Sequence, residues 1–210
     1  MTPKAQAKPA NGPRAFIIDD DGEVREAMAF LLRSRGVAVA LFESAEAFLE
    51  QFDLTLRGCI LTDVRMGGMS GLELTGKLAA LSSRLPVIVL TGHGDVAMAV
   101  ETIKSGVRDF VEKPFNTNSL ADKIIAAIAD DEMAANTQLW RNDYDRRLAM
   151  LSERECEIMG LLVAGKLNKV IADELNIAMR TVEVHRSRIF ARMGVRNAVE
   201  LANLVSQRRS

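Results

Sequence analysis

Apolar positions follow two regimes along the chain, with the change near residue 130. Before it, short apolar runs alternate with stretches in which apolar residues recur every three or four positions. These are the marks of buried strands and of the helices lying on them. Ala15-Phe-Ile-Ile18, Val37-Ala-Val-Ala-Leu-Phe42, Cys59-Ile-Leu61, Pro86-Val-Ile-Val-Leu-Thr91 and Phe110-Val-Glu-Lys113 are the strand candidates. A helix with Val24, Met28, Leu31 and Leu32 on one face follows the first strand, and further helices are predicted over 44–52, 72–81, 95–105 and 119–129. Ser44 is placed as an N-cap and Gly106 as a stop.

Strands alternating with helices predict an α/β domain with a five-stranded parallel sheet covered on both faces. Right-handed crossovers leave few topologies, and a doubly wound, flavodoxin-like sheet fits. Residues 131–147 read as a linker, probed by the helical spacing of Trp140, Tyr144 and Leu148, which predicts a helix docking one apolar edge. From Leu151 onward every segment has a helical period. Ser152 and Glu155 form a capping-box pattern, Gly165 stops that helix, and helices over 168–175, 181–193 and 197–206 follow. The expected organisation is a disordered tail over 1–13, an α/β domain over 14–130, a helical linker over 131–147 and an all-α helix-turn-helix domain over 148–210.

Composition narrows the function classes. A chain of 210 residues holds two domains comfortably. No run of eighteen apolar residues occurs, so no membrane span is expected. The first residues lack the apolar core of a signal peptide. Cys59 and Cys156 have no CxxC neighbour, which argues against a disulfide framework or zinc site and for a reducing cytoplasm. The net charge of −1 hides an asymmetry: residues 148–210 carry ten Lys/Arg against seven Asp/Glu, and residues 1–147 carry 17 against 21. A basic back half points to a polyanionic partner.

The candidate chemistry lies at strand ends, where an open parallel sheet gathers its ligands. Asp19 and Asp20 end the first strand, Asp63 the third, Thr91 the fourth and Lys113 the fifth. Clustered carboxylates repel unless a hard divalent cation neutralises them, and oxygen ligands favour Mg²⁺, with Mn²⁺ the alternative. A carboxylate can then attack phosphorus and form an acyl phosphate. The cation, the Lys113 ammonium and the Thr91 hydroxyl would each cover one phosphoryl oxygen. Singly, each residue has a plainer reading: the Asp19-Asp-Asp21 triplet as a helix N-cap, Asp63 as a turn residue, Thr91 as a β-branched strand residue, and Lys113-Pro114 as a strand end. The conjunction of all five favours a phosphoryl site.

Residues 14–130 resemble the receiver domain of two-component response regulators. Ile18-Asp-Asp-Asp21, Leu61-Thr-Asp-Val-Arg-Met66, Leu90-Thr-Gly-His-Gly-Asp95 and Asp109-Phe-Val-Glu-Lys-Pro-Phe115 carry the resemblance. It implies that Asp63 is the phosphoacceptor, that Asp19, Asp20, Asp63 and the backbone carbonyl of Arg65 hold Mg²⁺, and that Thr91 and Lys113 bind the phosphoryl group. It further implies a cis peptide bond before Pro114 and an aromatic switch at Phe110. The family usually has Met-Pro after the phosphoacceptor; this chain has Met66-Gly67-Gly68, which predicts a more mobile loop.

In the back half, the spacing around a short turn predicts a helix-turn-helix with Val170, Ile171, Leu175, Ile177, Val182, Ile189 and Met193 inward and Glu183, Val184, Ser187 and Arg188 outward. A plain four-helix domain with solvated charges is the alternative. Leu151-Ser-Glu-Arg-Glu-Cys-Glu-Ile158, Asn168-Lys-Val-Ile-Ala172, Arg180-Thr-Val-Glu-Val-His-Arg186 and Met193-Gly-Val-Arg-Asn197 resemble the LuxR-type domain of the NarL/FixJ response regulators. The resemblance implies a recognition helix over 181–193. Base contacts then fall to Glu183, Val184 and Ser187, and phosphate contacts to Lys169, Thr181, Arg186 and Arg188. His185 is a core or phosphate residue.

The implied partners are a sensor histidine kinase, double-stranded DNA, a second copy of the chain on phosphorylation, and RNA polymerase if the protein activates transcription; no membrane is involved. An aspartyl-phosphate hydrolase is a rival from another class. It usually needs a second Asp two residues after the nucleophile, where this chain has Arg65. A constitutive DNA binder with an inactive receiver is the other rival.

Overall fold

The structure, a computed structural model, describes residues 12–92 and 107–209. Five parallel strands, β1 (Arg14–Ile18), β2 (Val39–Phe42), β3 (Gly58–Asp63), β4 (Val87–Thr91) and β5 (Val107–Glu112), form one sheet in the order β2-β1-β3-β4-β5. Between them run helices α1 (Gly22–Ser34), α2 (Ala45–Leu49) and α3 (Gly71–Ala80), and α4 (Thr117–Ala149) follows β5. The helix expected over 95–105 lies outside the described residues.

Strand alternation sorts the apolar runs into two cores. Ala15, Ile17, Leu61, Ile88 and Leu90 face Met28 and Leu32 of α1 and Leu120 and Ile124 of α4. Phe16, Ile18, Ile60, Val87 and Val89 face Phe48 of α2 and Leu74 and Leu78 of α3. Strands buried on both faces read as unbroken apolar runs, which is why they were legible. Cys59 belongs to the first core, and burial pushes its thiol up to about 12, so it is an inert packing residue.

Several boundaries differ from expectation. β5 begins at Val107, ahead of the expected Phe110; the polar look of Arg108 and Asp109 in sequence hides its start. They are held by ion pairs to Asp130 and Lys123. α2 ends at Leu49, short of 52. The helix expected over 119–129 and the linker beyond it are one 33-residue helix, α4. The chain divides into compact units at residues 135/136, within α4.

The second unit is helical: α5 (Glu153–Val163), α6 (Asn168–Glu174), α7 (Met179–Met193) and α8 (Ala198–Arg209). Tyr144 of α4 is buried with Ile158, Leu162, Ile171, Val182, Ile189, Met193 and Leu201, and Leu148 packs on that core. Trp140 stacks on Tyr144 with ring centroids 5.8 Å apart. Ser152 and Glu155 close a capping box at the start of α5. Glu155 is buried; the Ser152 backbone N–H it accepts and the Arg192 guanidinium hold its carboxyl below the usual range. Gly194 ends α7 in the left-handed conformation, and Arg147 donates to the Met193 carbonyl at 2.8 Å. Val170 is a correction: it is 41% exposed, and the neighbouring Ile171 and Ala172 take the buried face of the short α6.

Candidate functional site

Parallel register brings the strand ends to one level. Ile18 pairs with Thr62, Asp63 with Leu90 and Thr91 with Glu112. The Lys113 N–H donates to the Thr91 carbonyl at 2.8 Å, which carries Lys113 to the same edge. Asp19, Asp20, Asp63, Thr91 and Lys113 therefore line one end of the sheet.

The centre of this edge is an ion pair. Lys113 Nζ donates to Asp63 Oδ2 at 2.6 Å, and Asp63 Oδ1 accepts a longer bond from the Arg65 N–H at 3.4 Å. The Arg65 side chain is exposed. Thr91 is buried, with its hydroxyl donating to the Gly92 carbonyl at 3.1 Å. The Lys113–Pro114 peptide bond is cis. Phe110 is half-buried against the second core.

The three aspartates of the triplet have separate roles. Asp21 is the N-cap of α1, accepting from the Glu23 and Val24 N–H groups. The cap reading of the triplet therefore holds for Asp21, which leaves Asp19 and Asp20 free of that role. Asp20 is exposed, and its Oδ2 accepts the Gly67 N–H at 3.0 Å. Asp19 is only 2% exposed; its Oδ1 accepts the Asp21 N–H at 2.9 Å. Asp19 Oδ2 is buried without a hydrogen-bond partner. Desolvation, above all, raises the Asp19 carboxyl from its ordinary value, and the Asp63 and Asp20 charges add to the effect.

A buried carboxylate oxygen without a donor is costly and calls for a partner. An all-oxygen donor set beside it suits a hard divalent cation. Among the described residues no three His, Cys, Asp or Glu side chains are gathered as metal ligands. Asp20 is turned onto Gly67 and Asp63 onto Lys113.

The loop after Asp63 is tied down at several amides. Gly67 N–H is on Asp20, and Met69 N–H donates to Glu46 Oε1 at 2.8 Å. Ser70 N–H donates to Glu73 Oε2 at 2.8 Å in a capping box, and Gly71 N–H donates to the Val64 carbonyl at 3.2 Å. Sequence reasoning missed Glu46, which gives no periodic signal. The Ser70-Gly-Leu-Glu73 spacing was available as a capping-box signature.

In the helical unit, Thr181, Glu183, Val184, Ser187 and Arg188 are exposed along α7, while Val182, Ile189 and Met193 are buried. Lys169 is exposed on α6. Arg186 is half-buried: its guanidinium lies 5.1 Å from the Phe190 ring centroid and donates to Asn168 Oδ1 at 3.3 Å. It braces α7 against α6 as well as carrying charge. His185 is half-buried, and its Nδ1 lacks a hydrogen-bond partner.

The family described as "Response regulator receiver domain" matches residues 15–125, and that described as "Bacterial regulatory proteins, luxR family" matches residues 149–205. The chain is similar to the transcriptional regulatory protein FixJ of Bradyrhizobium diazoefficiens, 42% identical over 90% of this chain and 92% of that protein. It is also similar to the C4-dicarboxylate transport transcriptional regulatory protein DctR of Rhodobacter capsulatus, 46% identical over 90% of this chain and 96% of that protein. Among solved structures, it is similar to the response regulator StyR, with a TM-score of 0.82, 37% identity and coverage of 93% of this chain and 99% of that one. Full-length FixJ from B. japonicum gives a TM-score of 0.59 at 40% identity, covering 94% and 97%.

Proposed function

This chain belongs to the response regulators that join a receiver domain to a LuxR-type DNA-binding domain, and from that premise we propose that Asp63 accepts the phosphoryl group and that its occupancy sets the DNA affinity of the helical unit. It is a transcriptional regulator of the FixJ and DctR kind, not an enzyme acting on a separate substrate. Such a protein has a kinase partner and a DNA partner. The observation that carries the Asp63 assignment is the contact of Lys113 Nζ with Asp63 Oδ2 at 2.6 Å, beside the buried, unpartnered Asp19 Oδ2.

The step is a displacement at phosphorus. An Asp63 carboxylate oxygen forms the new O–P bond while the P–N bond of a kinase phosphohistidine breaks, and the departing imidazole nitrogen keeps the electron pair and takes up a proton. Mg²⁺ or Mn²⁺, held by Asp19, Asp20, Asp63 and the Arg65 carbonyl, supplies charge neutralisation when bound. Lys113 moves its hydrogen bond from the carboxylate to a phosphoryl oxygen. The Thr91 hydroxyl leaves the Gly92 carbonyl for another phosphoryl oxygen, and Phe110 follows inward. The same site self-phosphorylates from small acyl phosphates and loses its phosphoryl group slowly to water.

The switched state dimerises and reads two half-sites. Where the protein activates transcription, RNA polymerase is the further partner, and the setting is the cytoplasm. No helix among the described residues is long and apolar enough to cross a membrane. The domain reading stays as a tail over 1–13, a receiver over 14–130, a linker over 131–147 and a DNA-binding domain over 148–210. The phosphorylation reading is tested by mass spectrometry after treatment with acetyl phosphate and Mg²⁺: the intact chain gains one phosphoryl group, and peptide mapping places it on the peptide containing Asp63. Its appearance on any other residue contradicts the assignment.

The DNA contacts divide by kind. Glu183, Val184 and Ser187 reach base edges: Val184 meets a thymine methyl and Glu183 accepts from a cytosine amine. Lys169, Thr181, Arg186 and Arg188 hold phosphates. Alanine at Val184 or Glu183 is expected to cost about 1–3 kcal/mol at one base pair and relax the preference there. Alanine at Lys169 or Arg188 lowers affinity for all sequences and reduces the salt slope by about one. Binding titrations against single-base operator variants at several salt concentrations separate the two. A uniform loss from Val184→Ala would remove it from the base-reading set.

A further inference from the structure

Gly67 stands where the family pattern has proline, and it offers a backbone N–H that proline lacks. That N–H donates to Asp20 Oδ2 at 3.0 Å. Nothing else at the position demands glycine. Its φ lies outside the positive range, unlike that of Gly68. A Cβ at residue 67 would meet only Asp20 Oδ2, at 3.7 Å, an ordinary contact. The loop is secured independently by Glu46 on the Met69 N–H and by the Ser70–Glu73 capping box. The bond from Gly67 therefore acts on Asp20 more than on the loop. It holds the Asp20 carboxylate to the 64–70 loop while the nearby Asp19 Oδ2 stays without a partner.

We propose that Gly67 is a positioning residue that latches Asp20: its backbone N–H competes with the divalent cation for the Asp20 carboxylate, and the loop releases Asp20 as the cation binds. The inference rests on the reading of Asp19, Asp20 and Asp63 as cation ligands. It makes the departure from Met-Pro a device that weakens cation binding in the resting chain and couples cation occupancy to the loop beside the phosphoacceptor.

Two substitutions in the full chain separate the amide from backbone stiffness. Gly67→Pro removes the donor. Gly67→Ala keeps it and restricts the backbone. Calorimetric titration with Mg²⁺ or Mn²⁺ is expected to give roughly fivefold tighter binding for Gly67→Pro, the scale of one ordinary hydrogen bond at an exposed site, with Gly67→Ala close to wild type. In the wild-type chain, amide exchange at Gly67 is expected to quicken as Mg²⁺ saturates, which needs no variant to fold. Cation affinity of Gly67→Pro equal to or below wild type, or a Gly67 amide equally protected with and without Mg²⁺, overturns the latch. If the wild-type chain binds no cation, the ligand reading itself fails and the latch with it. If wild type binds and the proline variant gains nothing, the latch alone fails.

Discussion

Asp63→Asn is expected to leave DNA affinity unchanged when acetyl phosphate and Mg²⁺ are added, where the wild-type chain gains about 5- to 150-fold, the ordinary range of coupling between two sites. Asparagine nearly matches aspartate in shape, so the strand end and its neighbours are kept. Its amide oxygen is a poor nucleophile toward phosphorus, and no stable acyl phosphate forms. The Lys113 ammonium, now 2.6 Å from a carboxylate oxygen, loses its counter-charge and has no phosphoryl group to move to. Thr91 then keeps its bond to Gly92, and the switch has no cause. By size-exclusion chromatography the wild-type chain is expected to dimerise on this treatment and the variant to stay monomeric. An equal gain in DNA affinity by Asp63→Asn would mean that another residue takes the phosphoryl group or that the receiver does not control DNA binding.

Gly71→Ala is expected to destabilise the receiver by about 2–3 kcal/mol, at the upper end of what overpacking costs. Local propensity points the other way, because alanine is favoured over glycine inside a helix by about 1 kcal/mol. Sterics decide. A Cβ at residue 71 would lie 2.2 Å from the Asp63 carbonyl oxygen and 2.9 Å from Thr62 Cγ2, at a fully buried position. The nearer atom is backbone and cannot turn aside, so α3 must move off the end of β3. That displaces the Asp63 backbone itself, and phosphoryl uptake slows along with the loss of stability. Gly76, also in α3, is exposed, and a Cβ there meets nothing within 4 Å. Gly76→Ala should stabilise by up to about 1 kcal/mol. Urea unfolding of the two variants checks the contrast; destabilisation of both alike would point to the helix and not to the contact with β3.

The sheet and the gathering of Asp63, Thr91 and Lys113 at one of its edges were readable because both follow from short-range pattern. Buried parallel strands show as apolar runs, and their C-terminal ends in sequence are their C-terminal ends in space. Asp63, Thr91 and Lys113 could be aligned before the register was known. What stayed hidden depends on bonds between distant segments. Arg108 and Asp109 made the start of β5 look like a loop, since their partners, Asp130 and Lys123, lie in a helix well downstream. The spacing of Trp140, Tyr144 and Leu148 predicted a helix in the linker, but the polar residues 130–138 hid its continuity with the helix expected over 119–129.

The loop at Gly67-Gly68 shows the same limit. Composition predicts freedom, but Asp20 and Glu46 reach it from other elements and tie its amides. In the helical unit, the resemblance assigns Arg186 to the phosphate contacts. Its bond to Asn168 and its position over Phe190 give it a bracing role that spacing alone does not reveal. Val170 was misplaced because adjacent residues on a short helix compete for one buried face, and Ile171 with Ala172 fills it.

The central claim is that phosphorylation of Asp63 sets the DNA affinity of the helical unit. It is tested most directly by titrating the wild-type chain onto genomic DNA fragments from near its own gene, with and without acetyl phosphate and Mg²⁺, at fixed salt. The account predicts tight, sequence-selective binding that appears with phosphorylation and is absent from Asp63→Asn. Equal affinity in both conditions, with one phosphoryl group verified on Asp63 by mass, would contradict it.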